Sequence, residues 1–149
     1  MIIDLYKLRQ RGETESRFEF VFDPDKDLMT VPNAEFAPNA KISFLAEVFE
    51  NKAYLSGTLE FTVKGKCARC LEDAKADVLV DFDEEFRPAP CAEEDVNVYE
   101  RDRIDVSAFA SQLILTNLPY AIYCKEDCKG LCPTCGKNLN EAECGCNKN

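Results

Sequence analysis

The chain has 149 residues, enough for one domain with a core of its own, and its 46% hydrophobic content fits a folded globule. Twenty-eight acidic against 18 basic side chains give a formal charge of −10, which opposes unspecific attraction to nucleic acid or anionic membrane and favours basic partners. Histidine and tryptophan are absent, so histidine-based catalysis and mixed cysteine/histidine zinc fingers are excluded, and no apolar run approaches the ~18 residues of a membrane span.

The opening MIIDLYKLRQ shows no long apolar run and no small-residue cleavage site. It is not read as a secretory signal, and the chain is expected in a reducing cytoplasm, where clustered cysteines are metal ligands or reactive thiols more often than disulfides. Residues 2 to 8 are expected to form a strand, with Gly12 and Pro24 marking turns. Phe18, Phe20 and Phe22 alternate with Glu19 and Val21, and Ile42, Phe44, Ala46 and Val48 share one strand face. Glu50-Asn51-Lys52 supplies turn chemistry, and Gly57, Leu59, Phe61 and Val63 repeat the alternation, so residues 41 to 64 read as a hairpin. After a break at 65 to 75, Val78, Val80 and Phe82 extend an antiparallel meander.

Residues 88 to 103, PAPCAEEDVNVYERDR, show neither period and read as an acidic surface loop. Val106, Phe109, Ala110, Leu113, Ile114 and Leu118 then fall at helical spacing, with Asp105 or Ser107 as cap and Pro119 as stop. The expected class is α+β and β-dominant: an antiparallel sheet or partly closed barrel, one amphipathic helix over about 105–118, and a C-terminal zinc-binding tail. The body is assigned to 1–119 and the cysteine-rich tail packed on it to 120–149.

Nine cysteines carry the chemistry. Cys67-Ala-Arg-Cys70 lies where two strands should turn, so its sulfurs can converge on one ion. Cys124-x3-Cys128, Cys132-Pro-Thr-Cys135-Gly136 and Cys144-Gly-Cys146 follow in the tail. The Cys-Pro-x-Cys-Gly stretch has the form of a zinc-ribbon turn, where glycine lets the backbone fold beneath the metal. Four closely spaced pairs in a histidine-free chain point to two four-cysteine zinc sites. The preferred partition joins Cys132, Cys135, Cys144 and Cys146 around the ribbon loop KNLNEAE, and Cys67, Cys70, Cys124 and Cys128 across the sheet and tail. A rival joins Cys124, Cys128, Cys132 and Cys135, leaving Cys144 and Cys146 to Cys67 and Cys70. A single site with spare thiols, redox pairs or a cluster remain open. Cys91 stands alone and reads as an incidental thiol.

Cys67-x-Arg-Cys-Leu71, the helix ending in Leu118-Pro119, and the tail from Cys124 through Asn140 to Cys146 together resemble the YceD family, the large ribosomal RNA subunit accumulation proteins. The likeness runs in order over most of the chain. It implies a bacterial, cytoplasmic, non-enzymatic factor supporting 23S rRNA levels. Gln112 departs from an acidic residue usual on the helix, and Ile122 from a proline that often precedes the first tail cysteine.

Zinc held by four thiolates carries a formal −2, so two sites would take the chain to about −14. The basic groups near the cysteines are Arg69, Lys125, Lys129 and Lys137, candidates for RNA or partner contact that also read as ordinary solvated side chains. Expected partners are large-subunit assembly intermediates, rRNA or a basic ribosomal protein, with no membrane and no small-molecule substrate. A zinc-ribbon transcriptional regulator and a thiol redox protein are the alternatives. The first would need DNA affinity that this charge opposes, and the second a metal-free Cys-x-x-Cys.

Overall fold

Strand β1 (Ile2–Asp4) passes directly into helix α1 (Leu5–Gln10) in a computed structural model that describes residues 1–91 and 93–146. Residue 92 of the expected loop and 147–149 of the expected tail lie outside the described residues. The single strand expected over 2 to 8 is therefore corrected. Asp4 accepts a hydrogen bond from the Lys7 N–H as N-cap, and Leu5 and Leu8, three apart, turn into the core. Gly12, at φ +68°, ends this turn in a conformation that other side chains resist.

The main sheet contains β2 (Glu15–Phe22), β3 (Ala34–Phe36), β4 (Ala40–Val48), β5 (Ala53–Lys66), β6 (Asp73–Pro88) and β7 (Asn97–Tyr99). Its path is β2-β4-β5-β6-β7, and β3 pairs with the far half of β5. Both sheets are open, so the barrel alternative is not what forms. The expected break at 65 to 75 narrows to the six residues 67–72, because β5 and β6 pair through to Lys66 opposite Asp73. The expected loop 88–103 also contains structure. Here β7 runs parallel to β6, and β8 (Arg103–Asp105) pairs with β1 in a small second sheet. Each is three residues long, too short for a period-two signal, and is held by one buried anchor, Tyr99 or Ile104.

One face of the main sheet is apolar along β4, β5 and β6, as period-two alternation requires. At its centre Gly57 faces Phe44 on one side and Phe82 on the other. A Cβ there would stand 2.0 Å from the Ser43 carbonyl oxygen, so glycine alone lets β4 approach, and the two rings meet with centroids 6.3 Å apart. Helix α2 (Val106–Asn117) covers this face. Asp105 caps it, accepting from the Ser107 and Ala108 N–H groups at 2.9 and 3.2 Å. Phe109 inserts edge-on between Phe82 and Phe86, each 5.2 Å away between centroids.

Candidate metal centres

The 67–72 connection is a tight knuckle. Cys67 donates its N–H to the Glu72 carbonyl at 2.8 Å, and Leu71 returns its N–H to the Cys67 carbonyl at 3.0 Å. Closing the turn puts Leu71 at φ +64°, the left-handed region that glycine occupies at the equivalent Gly136 of the tail. The tail reaches the knuckle through backbone pairing. Ala68 N–H donates to the Ile122 carbonyl at 2.8 Å, and Leu131 N–H to the Arg69 carbonyl at 3.2 Å. Ile122, where the resemblance led one to look for proline, is buried in the main core.

This pairing brings Cys124 and Cys128 over Cys67 and Cys70. Cys67 Sγ lies 3.8 Å from Cys128 Sγ, and Cys70 Sγ lies 3.6 Å from Cys124 Sγ. A disulfide needs about 2.05 Å. Four sulfurs set tetrahedrally around zinc at about 2.3 Å stand about 3.8 Å apart. All four sulfurs fall within 4.8 Å of one another, and so do those of Cys132, Cys135, Cys144 and Cys146. The structure thus groups the cysteines in the partition preferred from sequence and not in the rival one. In the second group Gly136 N–H donates to the Cys132 carbonyl at 2.8 Å, and Cys132 N–H to the Lys137 carbonyl at 2.8 Å.

The electrostatics of both groups suit a cation. Burial raises the Cys67 thiol, but the backbone N–H groups of Cys70, Cys124 and Arg69 outweigh it and bring the pKa down to about 6. Backbone N–H groups of Cys135 and Thr134 likewise bring Cys132 to about 6. Burial and the sulfurs of Cys128, Cys70 and Cys67 push Cys124 up to about 12, and the Cys135 sulfur together with burial does the same to Cys146. Each group thus combines thiols that ionise readily, Cys67 and Cys128 in the first and Cys132 in the second, with one pushed high, the behaviour of crowded anions that lack a positive centre. Zinc would supply that centre. An all-sulfur set of four closes the coordination sphere and leaves no position for water, which characterises structural rather than catalytic sites.

Cys67, Cys70, Cys128 and Cys132 are buried, whereas Cys124 and Cys135 are exposed. Cys91 is half-buried and belongs to neither group. Arg69 donates to the carbonyls of Glu126 at 3.1 Å and Cys128 at 3.3 Å, and its guanidinium lies 4.7 Å from the centre of the Tyr123 ring. It fastens the tail to the knuckle. Lys125, Lys129 and Lys137 are exposed around the tail. Sequence reasoning missed Asn140, whose side chain donates to Cys128 Sγ at 3.3 Å and accepts from the Lys129 N–H at 2.9 Å. The pair of asparagines in KNLNEAE was its available signal.

Residues 55–149 match the family described as Large ribosomal RNA subunit accumulation protein YceD. The chain belongs to the YceD family. It is also similar to uncharacterized proteins of Mycobacterium bovis and Mycobacterium tuberculosis, each 32% identical over 146 residues, covering 93% of this chain and 70% of the relative. No solved structure matches. The YceD match includes all eight grouped cysteines, and both groups can hold a metal ion. Among the described residues no helix is long and apolar enough to cross a membrane.

Proposed function

We propose that this YceD protein is a non-enzymatic, zinc-stabilised cytoplasmic factor that supports 23S rRNA accumulation by acting in large ribosomal subunit assembly. The family membership carries the ribosomal part of this reading. The two four-sulfur groups support the zinc part. Zinc in the first site would lock the knuckle between β5 and β6 to the segment after α2, and zinc in the second would set the fold of the residues beyond. In this reading 1–119 form the body, 120–149 the tail, and both metals are structural.

The partners are assembly intermediates of the large subunit, met through rRNA or a basic ribosomal protein. Depleting the protein in its source bacterium should lower mature 23S rRNA and large subunits relative to small ones, read by subunit profiles, while purified protein cuts no RNA. Unchanged 23S rRNA after depletion contradicts the reading.

A further inference from the structure

We propose that the groove at the knuckle end of the main sheet binds single-stranded RNA through its phosphates. The groove encloses about 860 Å³, and its walls include Lys64 and Lys66 of β5, Lys75 and Asp73 of β6, Glu35 of β3, and Cys124. None of these lysines was singled out from sequence, because only the β5–β6 register sets Lys75 beside Lys64 and Lys66.

Lys64 stands directly opposite Lys75 across β5 and β6. Like charges facing each other across a strand pair destabilise a sheet, and the neighbouring outward rung shows the alternative, with Lys66 opposite Asp73 and their charged atoms 2.5 Å apart. Lys75 reaches Asp77 at 3.4 Å, while Lys64 makes no ion pair within 4.0 Å among the described residues, although Glu35 is its partner on β3. The Lys64–Lys75 contact is a like-charge pair flanked by Glu35 on β3 and Asp77 on β6, and an anion lying between the two ammonium groups would be attracted by both.

Lys64 and Lys66 share one strand face, with Cα atoms about 6.7 Å apart by strand geometry; Asp73 engages Lys66, so the Lys64–Lys75 rung is the one a phosphate would meet. Farther along the same face of β6, Asp77, Asp81 and Asp83 are exposed, so a phosphate chain is repelled from the middle of the sheet and steered to this end. At the Cys124 wall the next residue back is Tyr123, its side chain exposed and its ring beside the Arg69 guanidinium. The groove sets three lysines against Glu35 and Asp73, and an exposed ring belongs to the residue next in the chain to its Cys124 wall; lysines with a nearby aromatic ring are the combination used to hold single strands, phosphates on the basic groups and a base on the ring. An acidic peptide would meet the same lysines but would gain nothing from the ring.

The ribosomal reading motivates RNA as the occupant, and the tests separate the two. The zinc-loaded protein is titrated against a labelled single-stranded RNA of about 12 nucleotides and against a poly-glutamate peptide of equal charge, by fluorescence anisotropy over a salt series. Lys64→Gln/Lys75→Gln should weaken RNA binding about tenfold and reduce the log–log salt slope by roughly 1.4, the amount for two phosphates on a single strand. Its melting temperature should stay close to that of the unmodified protein, since the substitution removes a repulsion along with the exposed Lys75–Asp77 pair. Lys26→Gln, on a turn outside the groove, should bind as the unmodified protein does. Tyr123→Ala should lose about fivefold at an unchanged slope. Equal RNA affinity of the double variant and the unmodified protein, or peptide binding as tight as RNA, overturns the proposal. In cells, depletion that lowers 23S rRNA but is fully rescued by the double variant sinks the groove and leaves the ribosomal reading standing. Depletion without effect on 23S rRNA sinks that reading and leaves the RNA titration to decide the groove.

Discussion

Asn140 donates its side-chain amide to the sulfur of Cys128, 3.3 Å away, across the boundary between the two cysteine groups. Its loop lies between Cys135 and Cys144 and is shaped by the second group, yet the hydrogen bond stabilises a thiolate of the first. That contact is the leading cause of the lowered Cys128 pKa. The second group therefore completes the outer shell of the first, and such outer-shell partners tune metal affinity.

Asn140→Ala should weaken zinc at the first site about tenfold or more while leaving the second set of sulfurs intact. Chelator competition on the purified variant would read this as one weakened and one unchanged ion. Two unchanged affinities would show the contact to be incidental.

Loss of a first-site ligand should damage the fold more than loss of a second-site ligand. Cys67→Ser and Cys128→Ser remove sulfurs buried between knuckle and tail, and each should lower the melting temperature by about 10 °C or more. Cys144→Ser should cost less and release the other ion. If Cys144→Ser instead frees the metal held by Cys67 and Cys70, the grouping is wrong.

Core packing should be separable from metal. Phe109 fills the space between Phe82 and Phe86, so Phe109→Ala should destabilise by about 3–5 kcal/mol. Zinc content of the folded variant should stay at the unmodified level. Denaturant unfolding and metal analysis on one sample check both halves.

Zinc retention should fall with pH in a defined direction. In the metal-bound state every ligand sulfur is held as thiolate, below the ordinary thiol pKa of about 8.5, so the stabilisation is present above that value and is lost as pH drops. Without metal, burial and neighbouring sulfurs hold Cys124 near 12, and the Cys135 sulfur with burial holds Cys146 near 12, so zinc must displace protons from both. Cys67 and Cys132 yield theirs near 6. Release followed with a zinc indicator should therefore steepen below about pH 6. Release that is independent of pH would exclude thiolate ligation.

What the sequence showed depended on the length of each signal. The Phe44 and Leu59 strands and the Phe109 helix have four or more residues in period, so hydrophobic periodicity revealed them. Strands β7 and β8 rest on one buried residue each, Tyr99 and Ile104, and β8 pairs with β1 about a hundred residues away, while β7 pairs in parallel with the end of β6. At the N-terminus Leu5 and Leu8 suited both a strand and a short helix, and the Asp4 cap decided for helix. The cysteine spacings revealed the ligand pairs and favoured one grouping without excluding the rival, because the choice depends on the Ala68–Ile122 hydrogen bond between knuckle and tail. The lysine groove was hidden for the same reason: it exists only in the register that sets Lys64 against Lys75.

The central claim is that two four-cysteine sites hold structural zinc, and the metal-to-protein ratio tests it most directly. Native mass spectrometry of the reduced, purified chain, followed by acidification, should give two zinc ions per chain, one for each sulfur group, and a metal-free mass without disulfides. A ratio of one, or a metal-free chain whose mass shows paired disulfides, would contradict the account.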